Sequence, residues 1–198
     1  MSIQGQSAYQ ASLESYWSTQ ESSLQPSCIV SVTAKDDVAR AVAILNAGNC
    51  RFAVRSGGHA PAQGWANIAG GVTLDLQGLK QITISEDRQE VDIGPGNRWG
   101  DIYRVLDAEG LSVVGGRASP VGVGGLLLGG GISFFSPRYG YAADNVVSFE
   151  IVLASGEVVT ASAETNADLY KALKGGSNNF GVVISFTLRT FEIGRAHV

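Results

Sequence analysis

Glycine placement constrains this chain more than any other feature. Its 198 residues include 26 glycines and only 5 prolines, and no collagen-like period or low-complexity run accounts for them. The glycines gather at 57–58, 70–71, 115–116, 122–131 and 175–176. Glycine belongs where the backbone bends sharply or comes close to another group. This distribution therefore marks a site built from turns. The length suits one domain with a substantial core and is short for two of ordinary size. A content of 44% hydrophobic and 16% charged residues is that of a globular chain.

Composition also removes several function classes. A formal charge of −4 without a basic stripe argues against nucleic acid as a partner. No apolar run approaches the roughly 20 residues that a membrane-spanning helix requires. Met1–Gln10 is polar and has no apolar signal-peptide core. Two histidines and two cysteines at scattered positions build no metal site, and no nucleophile-elbow motif supports a serine hydrolase. Cys28 and Cys50 are too few for a disulfide scaffold. From their positions alone, one bridge and two buried thiols are both open.

Residues 1–25, rich in Ser and Gln, are expected to form an extension with a short helix anchored by Tyr16, Trp17 and Leu24, with a boundary near Pro26. Cys28–Val32 is a short buried strand by pattern. Thr33 is expected to cap a helix in which Val38, Ala41, Val42 and Leu45 recur at helical spacing as far as Gly48. Phe52–Arg55 predicts a second strand, completing a β-α-β unit that runs into Ser56-Gly57-Gly58-His59. Further strands are expected at Val72–Leu76, Gln81–Ser85, Glu90–Ile93 and Leu111–Val114, with a helix near Trp99–Glu109. A hairpin of Val147–Leu153 and Glu157–Ala161 turns at Ser155-Gly156. A helix around Asp168–Lys174 and a strand over Val182–Arg189 close the pattern. The mixture of α/β units and hairpins gives an α+β fold class. Glu192–Val198 continues no pattern and is expected to be a tail foreign to the domain, in which Arg195-Ala196-His197-Val198 has the look of translated adapter sequence.

Four stretches bear on chemistry. In Arg55-Ser56-Gly57-Gly58-His59, two glycines directly after a strand let successive backbone N–H groups converge on an anion. Arg55 either adds charge there or is buried in an ion pair. His59 stands where the reactive end of a ligand would be within reach. Pro120-Val121-Gly122-Val123-Gly124-Gly125-Leu126-Leu127-Leu128-Gly129-Gly130-Gly131 contains G-x-G without the G-x-x-G completion, because position 127 is leucine. It also lacks a P-loop lysine. A Rossmann site is weakly supported, and close packing on a flat ligand or on backbone fits better. Arg138 to Val146 has Asp144-Asn145 as a turn signal. Gly175-Gly176-Ser177-Asn178-Asn179-Phe180-Gly181 places a glycine where a helix C-terminus needs one.

In this order, the four stretches resemble the FAD-binding domain of the para-cresol methylhydroxylase and vanillyl-alcohol oxidase flavoproteins. Within that group the chain most resembles the berberine-bridge-enzyme-like oxidases, in particular fungal oligosaccharide and alcohol oxidases. The resemblance covers residues 26–191 and implies two α/β subdomains enclosing the FAD. It further implies that Arg55, Ser56, Gly57 and Gly58 hold the pyrophosphate, with Gly64 nearby, and that His59 is bonded to the 8α carbon of the flavin. By the same resemblance Ser119, Val121, Gly122, Gly124, Gly125 and Gly130 line the cofactor. Tyr139, Gly140, Asn145 and Val147 lie toward its nucleotide end. Some members attach the flavin a second time through a cysteine. The matching position is Ala118, so single attachment is expected. Cys28 and Cys50 match a pair that is disulfide-bonded in secreted relatives.

The implied activity is oxidation of an alcohol or carbohydrate by hydride transfer to flavin N5, with O₂ as the acceptor and H₂O₂ as its product. The substrate domain and the catalytic base of such enzymes lie outside the part matched here, so the chain alone is expected to be inactive. Secretion is implied by the resemblance, although no signal peptide is visible. Two rivals stand beside this reading: a non-catalytic binding domain of the same fold, and an NAD-type dinucleotide-binding domain.

Overall fold

The structure is a computed structural model and describes residues 1–194. Its strands are β1 (Ser2–Ile3), β2 (Cys28–Ser31), β3 (Phe52–Arg55), β4 (Val72–Asp75), β5 (Ile82–Ile84), β6 (Glu90–Ile93), β7 (Leu111–Val113), β8 (Val146–Val152), β9 (Val158–Ser162) and β10 (Val182–Glu192). The helices are α1 (Ser7–Glu14), α2 (Thr19–Ser22), α3 (Lys35–Ala47), α4 (Trp99–Ala108), α5 (Val123–Leu128), α6 (Ser136–Tyr139) and α7 (Ala167–Leu173). One 3-10 turn spans Ala142–Asn145.

Two sheets organise these elements, as the α+β reading requires. The first has the order β1-β2-β4-β3, with β2, β4 and β3 parallel and β1 antiparallel at one edge. The second has the order β5-β6-β10-β8-β9 and is antiparallel, with β7 joined to the far end of β10. Side chains alternate across each strand, and the first sheet shows the consequence. Ile29 packs with Tyr9, Leu13 and Tyr16 on the side of α1. Val30 and Leu74 pack with Val38 and Val42 of α3 on the other. Val152, Val182 and Ile184, from the adjoining ends of β8 and β10, complete this second cluster and join the two sheets through α3. The largest cluster lies behind the second sheet, where Phe149, Phe186 and Val113 meet Trp99, Ile102 and Leu106 of α4.

Several expectations need correction. The cap of α3 is Ala34 rather than Thr33, with no capping side chain; Asp36 and Asp37 in the first turn face the helix dipole favourably instead. Residues 1–25 carry the expected short helix, and Tyr16 anchors it as expected, while the first strand adds an edge contact that was not foreseen. β1 pairs with β2, Tyr9 Oη donates to the Pro26 carbonyl at 2.8 Å, and Tyr16 Oη donates to the Ala66 carbonyl at 2.8 Å. The β-α-β unit is also not a pair of neighbours, because β4 lies between β2 and β3. That insertion separates the cysteines. Cys28 and Phe52 both pair with Val72 from opposite sides. Two strand spacings of about 4.8 Å each thus separate Cys28 from Phe52, two residues beyond Cys50. Both thiols are unbonded, Cys28 half-buried and Cys50 exposed. At the far end, β10 runs to Glu192 because β7 pairs with its last residues. The tail expected over 192–198 thus begins inside a strand, and its residues 195–198 lie outside the described part. No described helix is long and apolar enough to cross a membrane.

Phe149 is fully buried and packs edge-on against both Tyr170 and Phe186. Phe149→Ala is expected to destabilise the fold by about 3–5 kcal/mol, measured as a lowered urea midpoint. A loss below 1 kcal/mol would contradict this placement of the core.

Candidate cofactor site

The two sheets meet along a line of turns, and a cleft of about 680 Å³ opens beside it. β3 delivers Ser56-Gly57-Gly58-His59 to one wall, and the segment entering α5 brings Val121, Gly122, Gly124 and Gly125 to the other. The walls touch through backbone. A Cβ added to Gly57 would sit 2.4 Å from the Gly122 Cα, and one added to Gly122 would sit 2.5 Å from the Gly57 Cα. Only two glycines allow this approach. Ser56 strengthens the junction by donating from Oγ to the Pro95 carbonyl at 2.5 Å. Leu126, Leu128, Val182, Val183 and Phe186 supply an apolar floor, while Ser177 and Asn178 add polar groups.

Three observations show what such a cleft can hold. First, the backbone N–H groups of Gly57, Gly58, His59 and Ala60 donate to no protein acceptor among the described residues, although Gly57 and Gly58 are buried. Buried N–H groups are almost always paired, so this row is suited to a bound acceptor such as phosphate. Second, Gly125 has ordinary helical geometry, yet a Cβ there would meet nothing within 4 Å. Neither strain nor packing requires glycine at this cleft-lining position; a ligand lying against the helix would. Third, no Lys, Arg, Asp or Glu lines the cleft, and His59 is the titratable side chain among the lining residues. The volume is within the range of small-molecule and cofactor sites. The fit is to a large ligand with an acceptor group that the amides of 57–60 could hold.

Arg55 takes the buried, ion-paired place that its strand position allowed, not the pyrophosphate contact that the resemblance implies. Its side chain is fully buried and turns away from the cleft. Nη1 donates to the Ser12 carbonyl and Oγ, each at 2.8 Å, and Nη2 donates to Ser15 Oγ at 2.7 Å. The guanidinium lies over the Tyr16 ring, 3.8 Å from its centroid, and 4.0 Å from Asp75. Burial raises the Asp75 carboxyl above the usual carboxylate range, although the Gln77 N–H and Arg55 work in the opposite direction. Burial likewise pushes the Tyr16 hydroxyl up. Arg55 thus tethers β3 to the N-terminal segment and braces Gly58, whose added Cβ would lie 2.9 Å from Nη2.

Of the other expected residues, Ser56, Gly57, Gly58, His59, Gly64, Val121, Gly122, Gly124 and Gly125 share the cleft. Ser119, Gly130, Tyr139, Gly140, Asn145 and Val147 are not among its lining residues. Ser119 packs against Gly100, and Gly130 takes φ +94 in the turn after α5. Tyr139 stacks on Phe191 at 4.8 Å. Asn145 donates to the carbonyls of Tyr139 and Tyr141 at 3.0 and 2.9 Å, which shapes the turn holding Gly140. Val147 is half-buried in β8.

Sequence reasoning missed the contribution of α2. Glu21 is fully buried, and its Oε1 accepts from the N–H groups of Trp65 and Ala66 at 2.9 and 2.8 Å, fixing a loop that lines the cleft. Ser18 caps that helix by accepting from the Glu21 N–H at 3.3 Å. The Ser-x-x-Glu spacing of Ser18 and Glu21 was the available signal. The Rossmann alternative fails locally, since Gly122 follows a loop and opens a helix of six residues.

The family model described as "FAD binding domain" matches residues 26–162. The chain belongs to this family. It is 47% identical over 179 residues to the FAD-dependent monooxygenase tpcD of Cochliobolus heterostrophus, covering 90% of this chain and 35% of that protein. Among solved structures, 6-hydroxy-D-nicotine oxidase from Arthrobacter nicotinovorans superposes with a TM-score of 0.91 at 32% identity, over 98% of this chain and 42% of that one. Xylooligosaccharide oxidase from Myceliophthora thermophila gives 0.85 at 31% identity, over 96% and 40%. This FAD-binding chain therefore spans roughly two-fifths or less of the proteins it resembles. The resemblance to vanillyl-alcohol-oxidase-type and berberine-bridge-enzyme-like flavoproteins is borne out by a BBE-like protein of Physcomitrella patens (30% identity, TM-score 0.87) and a VAO-type flavoprotein of Myceliophthora thermophila (33%, 0.75).

Gly125→Leu is expected to leave the thermal midpoint within a few degrees, because its side chain enters open space. FAD binding should weaken by about tenfold or more, equivalent to about 1.4 kcal/mol, in a fluorescence-quenching titration. Unchanged affinity would show that the cofactor does not lie against α5.

Proposed function

We propose that this chain is the flavin-binding part of an oxidase that carries its FAD covalently through His59. The observation that carries the proposal is the succession within one turn: N–H groups without acceptors at 57–58, then an imidazole lining the same cleft. Backbone amides of 57–60 hold the pyrophosphate, and the glycines at 122, 124 and 125 leave room for the rest of the cofactor. His59, placed by the rigid turn, bonds to the 8α carbon. When bound, the flavin would supply a hydride-accepting N5, with O₂ as the acceptor that would be reduced to H₂O₂.

The substrate in this proposal is an alcohol or carbohydrate, supported by the xylooligosaccharide oxidase among the structural neighbours. No carboxylate or lysine lines the cleft, so the base that takes the substrate's proton comes from the portion of such enzymes that this chain does not span. Attachment is single: Ala118 stands at the second attachment position, and neither Cys28 nor Cys50 lines the cleft. An extracellular place of action belongs to the same proposal and rests on the resemblance to carbohydrate oxidases.

The test is the intact mass and visible spectrum of the full-length protein after denaturation, beside His59→Ala. The expected result is a mass increase of one FAD with yellow colour retained in denaturant, both lost in the variant. Colour released from the wild type on denaturing would retain FAD and remove the covalent bond. Absence of flavin would favour a non-catalytic domain of the same fold.

A further inference from the structure

We infer that Trp17 is the positioning residue that sets the plane of the His59 imidazole for attachment to the flavin; the inference rests on the covalent reading of His59. The two rings are stacked, 4.6 Å between centroids and 14° from parallel. His59 makes no side-chain hydrogen bond among the described residues, so no donor or acceptor fixes its ring torsion. The indole face is the contact that does. Stacking fixes the imidazole plane while leaving both in-plane nitrogens free at the ring edge, where one must meet the 8α carbon.

Trp17 is held for this task and serves no evident packing role. Trp17 as a residue is 62% exposed, whereas its neighbours Tyr16 and Ser18 are each 7% exposed. Its own N–H donates to the Gly58 carbonyl at 2.9 Å, which ties it to the turn carrying His59. Tyr16, clamped under Arg55 and bonded to Ala66, fixes the backbone on the other side. An exposed indole on a backbone anchored on both flanks adds little to the core, but it gives His59 a face to stack on. In the attachment step a bond forms between an imidazole nitrogen and the 8α carbon. The imidazole N–H proton and one 8α C–H proton leave, and the two electrons pass through the flavin ring to O₂, which becomes H₂O₂. Such a step requires aligned reacting atoms, and misplacement by about 1 Å can slow a reaction about a hundredfold.

The experiment uses the full-length protein, prepared as apoprotein and mixed with FAD in air, in wild-type, Trp17→Ala, Trp17→Leu and Trp17→Phe forms. Total bound FAD is read from absorbance, and the covalent fraction from intact mass after denaturation at successive times. Trp17→Ala and Trp17→Leu should bind total FAD within about twofold of wild type yet attach it at least about tenfold more slowly, the penalty of a misaligned nucleophile. Trp17→Phe, which restores an aromatic face, should recover most of the rate. In apoprotein NMR, the upfield shift of the His59 ring protons caused by the indole should vanish in the Ala and Leu forms. Attachment at the wild-type rate in Trp17→Leu overturns the inference, as does a loss that only tracks reduced FAD binding in all three variants. If Trp17→Ala does not fold, the Leu and Phe pair decides. A wild type that never acquires the adduct refutes the His59 reading itself; a wild type with adduct and unaffected Trp17 variants refutes the positioning role alone.

Discussion

Gly57 and Gly122 meet backbone to backbone, and the remaining features of the cleft depend on that contact. It joins a turn leaving a parallel sheet to the first turn of a helix packed on an antiparallel one. A methyl group on either residue would force the walls apart. With the walls together, β3 can aim its amides and His59 into the cleft while α5 brings Gly124 and Gly125 to the same space. The Ser56 hydroxyl then closes the junction on the turn of Pro95. The arrangement offers a ligand shape and amide hydrogen bonds rather than charge, since no charged side chain is among its lining residues.

The N-terminal segment braces this junction from behind. Arg55, fully buried beneath Tyr16, fastens the end of β3 to α1, and Glu21 fastens the loop through Trp65 and Ala66 to α2. A charge buried in this manner is satisfied by several oxygen acceptors and an aromatic face, the condition under which such burial is tolerated. The turn bearing His59 therefore inherits its rigidity from residues that precede the family match at residue 26.

Much of this was legible in the sequence, for reasons that vary from one element to the next. Phe52–Arg55 and Glu90–Ile93 form strands with the bounds read from pattern alone, because short apolar alternation between turn signals leaves few choices. The glycine clusters were visible, but their causes were not. Gly115 and Gly116 make room for the Trp99 ring, a tertiary demand, whereas Gly57 and Gly122 serve the cleft. Arg55 illustrates the limit. A strand arginine next to a glycine turn has the same local sequence whether it faces a phosphate or a buried tyrosine; only the position of α1 decides. Cys28 and Cys50 are separated by β4, a strand that enters the sheet from more than twenty residues downstream in the sequence. Trp17 lay in a segment with weak periodicity, and nothing local connects it to His59.

The most direct measurement is a crystal structure of the full-length protein with FAD bound. The cofactor should occupy the cleft between the two sheets, its pyrophosphate within hydrogen-bonding distance of the N–H groups of residues 57–60 and its isoalloxazine reaching His59. A pyrophosphate bound elsewhere, with the amides of 57–60 facing solvent or protein acceptors, would contradict the site described.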